Sequence, residues 1–359
     1  MERSSGGTNC IRATLAYEPT TSLFRTRTYI PKKVFKLIVD TGSPYLVISD
    51  GMEYASFVDE VTIDQKRSPL ILEIINNILE GVGIDSIQYK LKESGYDATE
   101  EIYGSQRGSI AWKESHVQIR DERISNDIVL GVLDNALTNE AGGPLLGLVK
   151  RSNSQSEKIQ LRPTFLGQGG YGNNSVSSFM IDSPNRELLL AGGKSIIPPG
   201  AKSAIPLLDL RPLGDFVEHY ACQVEKLVLN GKEFTPDSIG LNLNQNRSIV
   251  AVFDSGLTGC LFTQPLWDVL QKNGANLDTV KNVDVGVSTE RRGQEASALY
   301  NFRTDIEMNP FFHLSPISLD WFDDEDTCPH VVVLGQTFLM QGSLIVDIDD
   351  RRALFTTTR

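Results

Sequence analysis

Two short acidic turns stand far apart in the chain, each closing an apolar run: Leu37-Ile38-Val39-Asp40-Thr41-Gly42-Ser43 and Ile249-Val250-Ala251-Val252-Phe253-Asp254-Ser255-Gly256. Carboxylates delivered by rigid strands suit general acid–base work. If the two turns meet, Asp40 and Asp254 cannot both ionise easily. Like charges about 3 Å apart disfavour double ionisation, so such a pair holds one proton between its members. The ionised member then takes a proton from water while the protonated one polarises a scissile carbonyl, a chemistry that splits amides with water.

The surrounding residue types fit that task. A buried strand fixes its last residue, and a glycine two places on (Gly42, Gly256) permits a tight turn and close approach of neighbouring backbone. Thr41 and Ser255 supply hydroxyls able to satisfy polar groups across a symmetric interface. One Asp-Thr-Gly or Asp-Ser-Gly alone is an ordinary turn at a strand end. Two copies with matching apolar lead-ins, one per half of the chain, carry more weight. The bland alternative is a pair of surface turns that never meet.

Strand signals dominate the rest, with short apolar runs between Gly, Asn, Asp and Pro clusters. Helical patterns are confined to Pro69 to Leu79 and Pro265 to Lys272. Tyr220 to Lys232 reads as a hairpin around an Asn230-Gly231 turn. Ser152 to Arg162 and Gly167 to Ser178 read as polar loops. The expectation is an all-β protein.

With these residues in view, the chain resembles the pepsin-like aspartic endopeptidases. Lys92 to Thr99 is similar to the segment before that family's flap hairpin, and Glu101-Ile102-Tyr103-Gly104-Ser105 resembles the start of the flap. Gly108 to Trp112 and Val117 to Ile119 fit its returning strand. Gly143-Pro144-Leu145-Leu146-Gly147-Leu148 and Val331-Val332-Val333-Leu334-Gly335 resemble the two hydrophobic-hydrophobic-Gly elements under the acidic turns. Leu188 to Gly193, Ser343 to Asp349 and Ala353 to Phe355 match later strands. The resemblance covers roughly residues 25 to 359, with the motifs in family order.

The resemblance implies a bilobal fold with an active-site cleft between two β-rich lobes, 1–188 and 189–359, sharing a sheet. It implies Asp40 and Asp254 as catalytic residues. Tyr103, Gly104 and Ser105 would form the flap, with Gly42, Ser43 and Gly256 lining the site floor. The implied activity is hydrolysis of peptide or protein substrates by a monomer, without metal or cofactor. The alternative is a catalytically weakened or inactive relative that binds peptides. Three departures from the family pattern motivate it: Leu257 stands where a Thr or Ser hydroxyl is usual, Val47 where a Trp is usual, and Pro44-Tyr45 where a small or polar pair is usual.

Composition bounds the remaining possibilities. The 359 residues are 40% hydrophobic and 22% charged, with a formal net charge of −12 that argues against nucleic acid as a partner. No run of about 18 apolar residues exists to span a membrane. Met1 to Cys10 is polar and lacks an apolar signal core, whereas the resemblance implies a secreted or vacuolar protein, so the compartment stays open. Cys10, Cys222, Cys260 and Cys328 read as reduced buried thiols or as a disulfide set. Asn173 and Asn246 head glycosylation sequons. His116, His219, His313 and His330 have no ligand spacing, no Gly-x-Ser-x-Gly elbow is present, and the Gly167 to Gly172 run lacks the context of a phosphate cradle.

Overall fold

The computed structural model describes residues 10–17, 23–30, 33–49, 91–103, 106–119, 122–133, 144–152, 162–168, 170–171, 174–193, 195–198, 201, 203–241, 248–290, 299–307, 309–318 and 329–357. Its first half contains β1 (Cys10–Tyr17), β2 (Phe24–Ile30), β3 (Lys33–Asp40), β4 (Leu46–Ser49), β5 (Lys92–Glu93), β6 (Thr99–Tyr103), β7 (Gln106–Ile119), β8 (Glu122–Leu133) and β9 (Leu145–Gly147). Helix α1 (Phe165–Gln168), β10 (Gly170–Tyr171), β11 (Asn174–Asp182), β12 (Glu187–Gly192) and β13 (Ile205–Pro206) follow. Then come β14 (Ala221–Leu229), β15 (Lys232–Phe234), β16 (Ile249–Phe253), β17 (Cys260–Thr263) and α2 (Gln264–Lys272). The chain closes with β18 (Asn282–Ser288), β19 (Leu299–Asp305), β20 (Leu314–Ile317), β21 (His330–Leu334), α3 (Gln336–Leu339), β22 (Gly342–Asp347) and β23 (Arg352–Thr357).

The protein is therefore all-β with few helices. Its described strands form a 15-stranded sheet, ordered β13-β23-β22-β11-β12-β1-β2-β3-β9-β4-β8-β7-β5 with β10 paired to β11 and β6 to β7, and an 8-stranded sheet, ordered β19-β18-β14-β16-β21-β17-β20 with β15 paired to β14. The larger sheet joins strands from both ends of the chain, because β22 pairs with β11 and β12 pairs with β1. The division expected at 188/189 falls inside β12.

A four-strand arrangement occurs twice. In the first copy β3 runs parallel to β9, β9 antiparallel to β4, and β4 parallel to β8. In the second, β16 runs parallel to β21, β21 antiparallel to β17, and β17 parallel to β20. The acidic turns join β3 to β4 and β16 to β17. This explains their uninterrupted apolar lead-ins, since interior strands paired on both edges and covered on both faces need apolar residues at every position. On β16, Ile249, Ala251 and Phe253 enter the main core, while Val250 and Val252 pack on the other face with Val331 and Val333. On β3, Leu37 and Val39 enter the main core and Ile38 packs oppositely with Leu23 and Leu145.

Most local expectations match the structure. Helix α2 occupies the second helical pattern, and β14 turns into β15 through Asn230 (φ 49°) and Gly231 (φ 81°), both left-handed as a two-residue hairpin turn requires. The expected helix at 69–79 lies outside the described residues. Gly167 to Ser178 is not a loop throughout. It contains the end of α1, the short β10, and the first half of β11, one of the central strands. A register shift between Val176 and Ser178 breaks the two-residue period there, and Ser177 satisfies itself on the Ala191 carbonyl (3.3 Å). The polar run thus hides a strand that buries Val176, Phe179 and Ile181.

Gly147 shows how tightly the first repeat is drawn. A Cβ there would lie 2.5 Å from the Ser43 carbonyl oxygen and 2.6 Å from both N and O of Tyr45. Gly147→Ala is expected to cost about 3 kcal/mol or more. Gly231→Ala, which meets nothing within 4 Å, is expected to cost only about 1 kcal/mol through its backbone angle. Urea midpoints of the two variants check this contrast.

Candidate active site

Each acidic residue is aimed by its strand pair. Asp40 lies opposite Gly147 in the parallel β3–β9 register, and its carbonyl accepts the Leu148 N–H (2.7 Å). Phe253 lies opposite Leu334, and the Asp254 N–H donates to the Leu334 carbonyl (3.0 Å). The glycines that follow, Gly147 and Gly335, donate their N–H groups to the Tyr45 and Gly259 carbonyls, both at 2.9 Å. In each case the acceptor is the fifth residue after the acid, so the two turns are built alike.

The turns meet. Thr41 donates its N–H to Ser255 Oγ (3.1 Å), and Ser255 donates its N–H to Thr41 Oγ1 (2.9 Å). Each hydroxyl then donates across the interface to the carbonyl preceding the opposite acid: Thr41 Oγ1 to Phe253 O (2.7 Å) and Ser255 Oγ to Val39 O (2.7 Å). Both side chains are buried. Residues 214 positions apart in sequence are thereby locked with approximate two-fold symmetry.

Above this lock the carboxyls face one another. Gly42 donates its N–H to Asp40 Oδ1 (2.7 Å) and Gly256 to Asp254 Oδ1 (2.9 Å). A Cβ on Gly42 would lie 2.8 Å from Asp254 Oδ2, and one on Gly256 would lie 2.5 Å from Asp40 Cγ. Each glycine backbone therefore passes directly against the opposite acid, which only the absence of a side chain permits. Asp40 is buried and Asp254 half-buried. Burial, then the charge of Asp40 and a hydrogen bond with it, push the Asp254 carboxyl well above the usual carboxylate range; the N–H groups of Gly256 and Leu257 pull in the opposite direction.

The departures from the resemblance acquire a physical account. Leu257 packs against the apolar cluster of Val250, Val252, Val331 and Val333, and its backbone N–H still favours ionised Asp254. Ser43 is half-buried, and its carbonyl accepts the Val149 N–H (3.0 Å). Val47 is buried in a separate small core with Tyr45, Ile110, Trp112, Val129 and Leu133. There Tyr45 meets Trp112 edge-on, with centroids 5.0 Å apart, and Trp112 Nε1 donates to Thr99 Oγ1 (2.9 Å). The Arg162 guanidinium lies 5.1 Å from the Tyr96 ring centre and 5.7 Å from that of Trp112. The first acidic turn is thus bound through Tyr45 to the β6–β7 hairpin. Tyr103 is the last residue of β6 and pairs with Gln106 across the hairpin. Gly104 and Ser105 lie outside the described residues.

Other sequence candidates fall away from this site or outside the description. Cys222 and Cys260 are free and buried, and burial pushes both thiols up. Cys328, Asn173 and Asn246 lie outside the described residues. His219 Nδ1 is paired with Asp215 (2.9 Å) in the interior, and His116 with Asp127 near the surface. Among the described residues no group of three or more His, Cys, Asp or Glu is arranged to hold a metal ion, and no helix is long and apolar enough to cross a membrane.

One tie was invisible in the sequence: Tyr220 Oη donates to the Leu148 carbonyl (2.5 Å), across 72 positions. Beside it, Glu218 accepts from Arg151 (3.1 Å) and Arg351 (2.7 Å). No local pattern announces partners that distant. No protein-family model matches the chain, and no curated protein matches it.

Two outcomes follow from the geometry. Thr41→Val keeps shape but strands the Ser255 N–H and the Phe253 carbonyl in the interior, and is expected to lower stability by about 2–4 kcal/mol in chemical denaturation. Asp254 acts through linkage. Its folded pKa is raised, so between the ordinary carboxylate value of about 4 and that raised value the native state binds more protons than the unfolded state, and stability falls as pH rises. Asp254→Asn is therefore expected to raise the melting temperature more at neutral pH than at about pH 3. Scanning calorimetry at both pH values checks the sign.

Proposed function

We propose that the chain is an aspartic-type endopeptidase of the bilobal, pepsin-like kind, hydrolysing peptide bonds with a water activated by Asp40 and Asp254. The observation that carries this reading is the Thr41–Ser255 lock, with each turn's glycine lying against the opposite carboxyl. Two carboxyls held so closely keep one proton between them, and burial, with the charge of Asp40, pushes the Asp254 carboxyl up. In the reaction the charged member removes a proton from water as it attacks the scissile carbonyl carbon. The protonated member donates to the carbonyl oxygen, giving a neutral tetrahedral gem-diol. One member then gives a proton to the leaving amine while the other takes a proton from a gem-diol hydroxyl; the C–N bond breaks, the carbonyl of the new acid re-forms, and the singly protonated pair is restored. The hairpin carrying Tyr103 would cover an extended peptide lying across the carboxyls.

A second reading, a peptide-binding relative with weakened catalysis, draws on Leu257, which supplies apolar contact where a hydroxyl would otherwise support Asp254. A mixed peptide library at about pH 3 to 6 separates the two. Under the peptidase reading the unmodified protein cleaves it, and Asp40→Asn or Asp254→Asn lowers kcat/KM by about 10²–10⁴-fold or more. Under the second reading the unmodified protein binds peptides with negligible turnover, and Leu257→Thr raises that turnover at least about tenfold. Absence of both cleavage and peptide binding removes both.

A further inference from the structure

A second tie between the two acidic strands runs beside the hydroxyl lock. The Asp40 carbonyl accepts the Leu148 N–H (2.7 Å), the Leu148 carbonyl accepts the Tyr220 hydroxyl (2.5 Å), and the Tyr220 carbonyl accepts the N–H of Phe253 (3.1 Å), the residue before Asp254. The backbones of the two acids are thus connected through only Leu148 and Tyr220.

We infer that Tyr220 is a positioning residue for the carboxyl pair, its hydroxyl fixing the spacing of Asp40 and Asp254 without touching substrate. The consequence for turnover rests on the peptidase reading above; the consequence for titration of the carboxyls rests on geometry alone.

Tyr220 is itself rigidly held. It is buried, and its ring meets Phe179 of β11 at 5.3 Å, so one face is fixed by the larger sheet. Burial pushes the phenol far up, with Glu218 adding to that push and Arg151 and the Lys150 backbone opposing it, so the hydroxyl remains a donor. The chain around it is fastened to the segment following Leu148. Ser152 bridges to Val217, and the Glu218 N–H donates to the Arg151 carbonyl (2.8 Å). The buried Glu218 carboxylate takes the guanidinium groups of Arg151 (3.1 Å), Arg211 (3.2 Å) and Arg351 (2.7 Å). Arg211 and Arg351 are in turn held by Asp209, at 2.8 and 2.7 Å. A tyrosine needed only for packing requires no hydroxyl. Here the hydroxyl is the hydrogen bond that joins Leu148, which holds Asp40, to the residue that holds Phe253.

Tyr220→Phe tests the role, because it removes the link and keeps the ring. The expected result is a fall in kcat of roughly tenfold with KM changed by less than about twofold. After burial, the charge of Asp40 is what pushes Asp254 up; with Asp40 held less closely that push weakens, so the basic limb of the kcat profile moves to lower pH. Carbon-13 NMR titration of the Asp254 carboxyl is expected to report the same downward shift with no substrate present. A folded variant with unchanged kcat and unmoved titration overturns the inference. So does a lowered melting temperature with both of those intact, which makes the hydroxyl a packing feature only. If Tyr220→Phe does not fold, Glu218→Gln loosens the same segment and is expected to shift the titration in the same direction by less; an unmoved titration there is equally fatal. A wild-type protein that hydrolyses no peptide removes the peptidase reading, while the NMR titration still decides the role of Tyr220.

Discussion

Everything in this architecture leans on the exchange of hydrogen bonds between Thr41 and Ser255. Both hydroxyls are buried, and each acts as donor and acceptor at once. A polar group sealed from water without its partner loses its full hydration energy, whereas a mutually satisfied set gains modestly and becomes rigid. Neither turn can therefore be buried alone. Each needs a counterpart of the same shape, presented from the opposite side at hydrogen-bond distance. That requirement accounts for the repetition of the four-strand arrangement, with parallel β3–β9 and β16–β21 pairs behind the two turns.

The lock also sets the electrostatics. It holds the carboxyls closer than their charges favour, which adds to the upward push that burial exerts on Asp254. Resisting that repulsion falls to strands buried on both faces, and to glycines whose missing side chains let backbone pass against carboxyl. Leu257 belongs to this scheme. Its side chain strengthens the apolar cluster under the second turn, while its backbone retains a polar contribution to Asp254. The two halves of the site are alike in backbone and unlike in side chain.

How much was legible beforehand follows from the range of each interaction. The acidic turns, their glycines and the Asn230-Gly231 hairpin were readable, because a β-turn or a doubly buried strand leaves its mark within a few residues. The all-β class was readable from the same short-range patterning. Strand β11 was not, because a bulge at Val176–Ser178 put two serines where alternation calls for one polar residue. The Tyr45–Trp112 contact and the Tyr220–Leu148 bond join residues 67 (112 − 45) and 72 positions apart. Neither partner's neighbours depend on the other, so nothing in either stretch records the contact. The resemblance directed attention to Val47 as a missing aromatic; the structure shows aromatic contact with the hairpin arising two residues earlier, at Tyr45.

The threading of the larger sheet has a consequence for how the molecule is made. Strand β22 lies against β11, with Met180 opposite Ile345, and the hydroxyl of Thr41 finds no mate before Ser255 exists. A ribosome delivers these partners in sequence order, so β11, complete at Asp182, keeps an uncovered flank until β22 is made at Gly342–Asp347. Exposed strand flanks are sites of faulty association. The same order of synthesis keeps the two acids apart until Asp254, 214 residues after Asp40 (254 − 40), has been made.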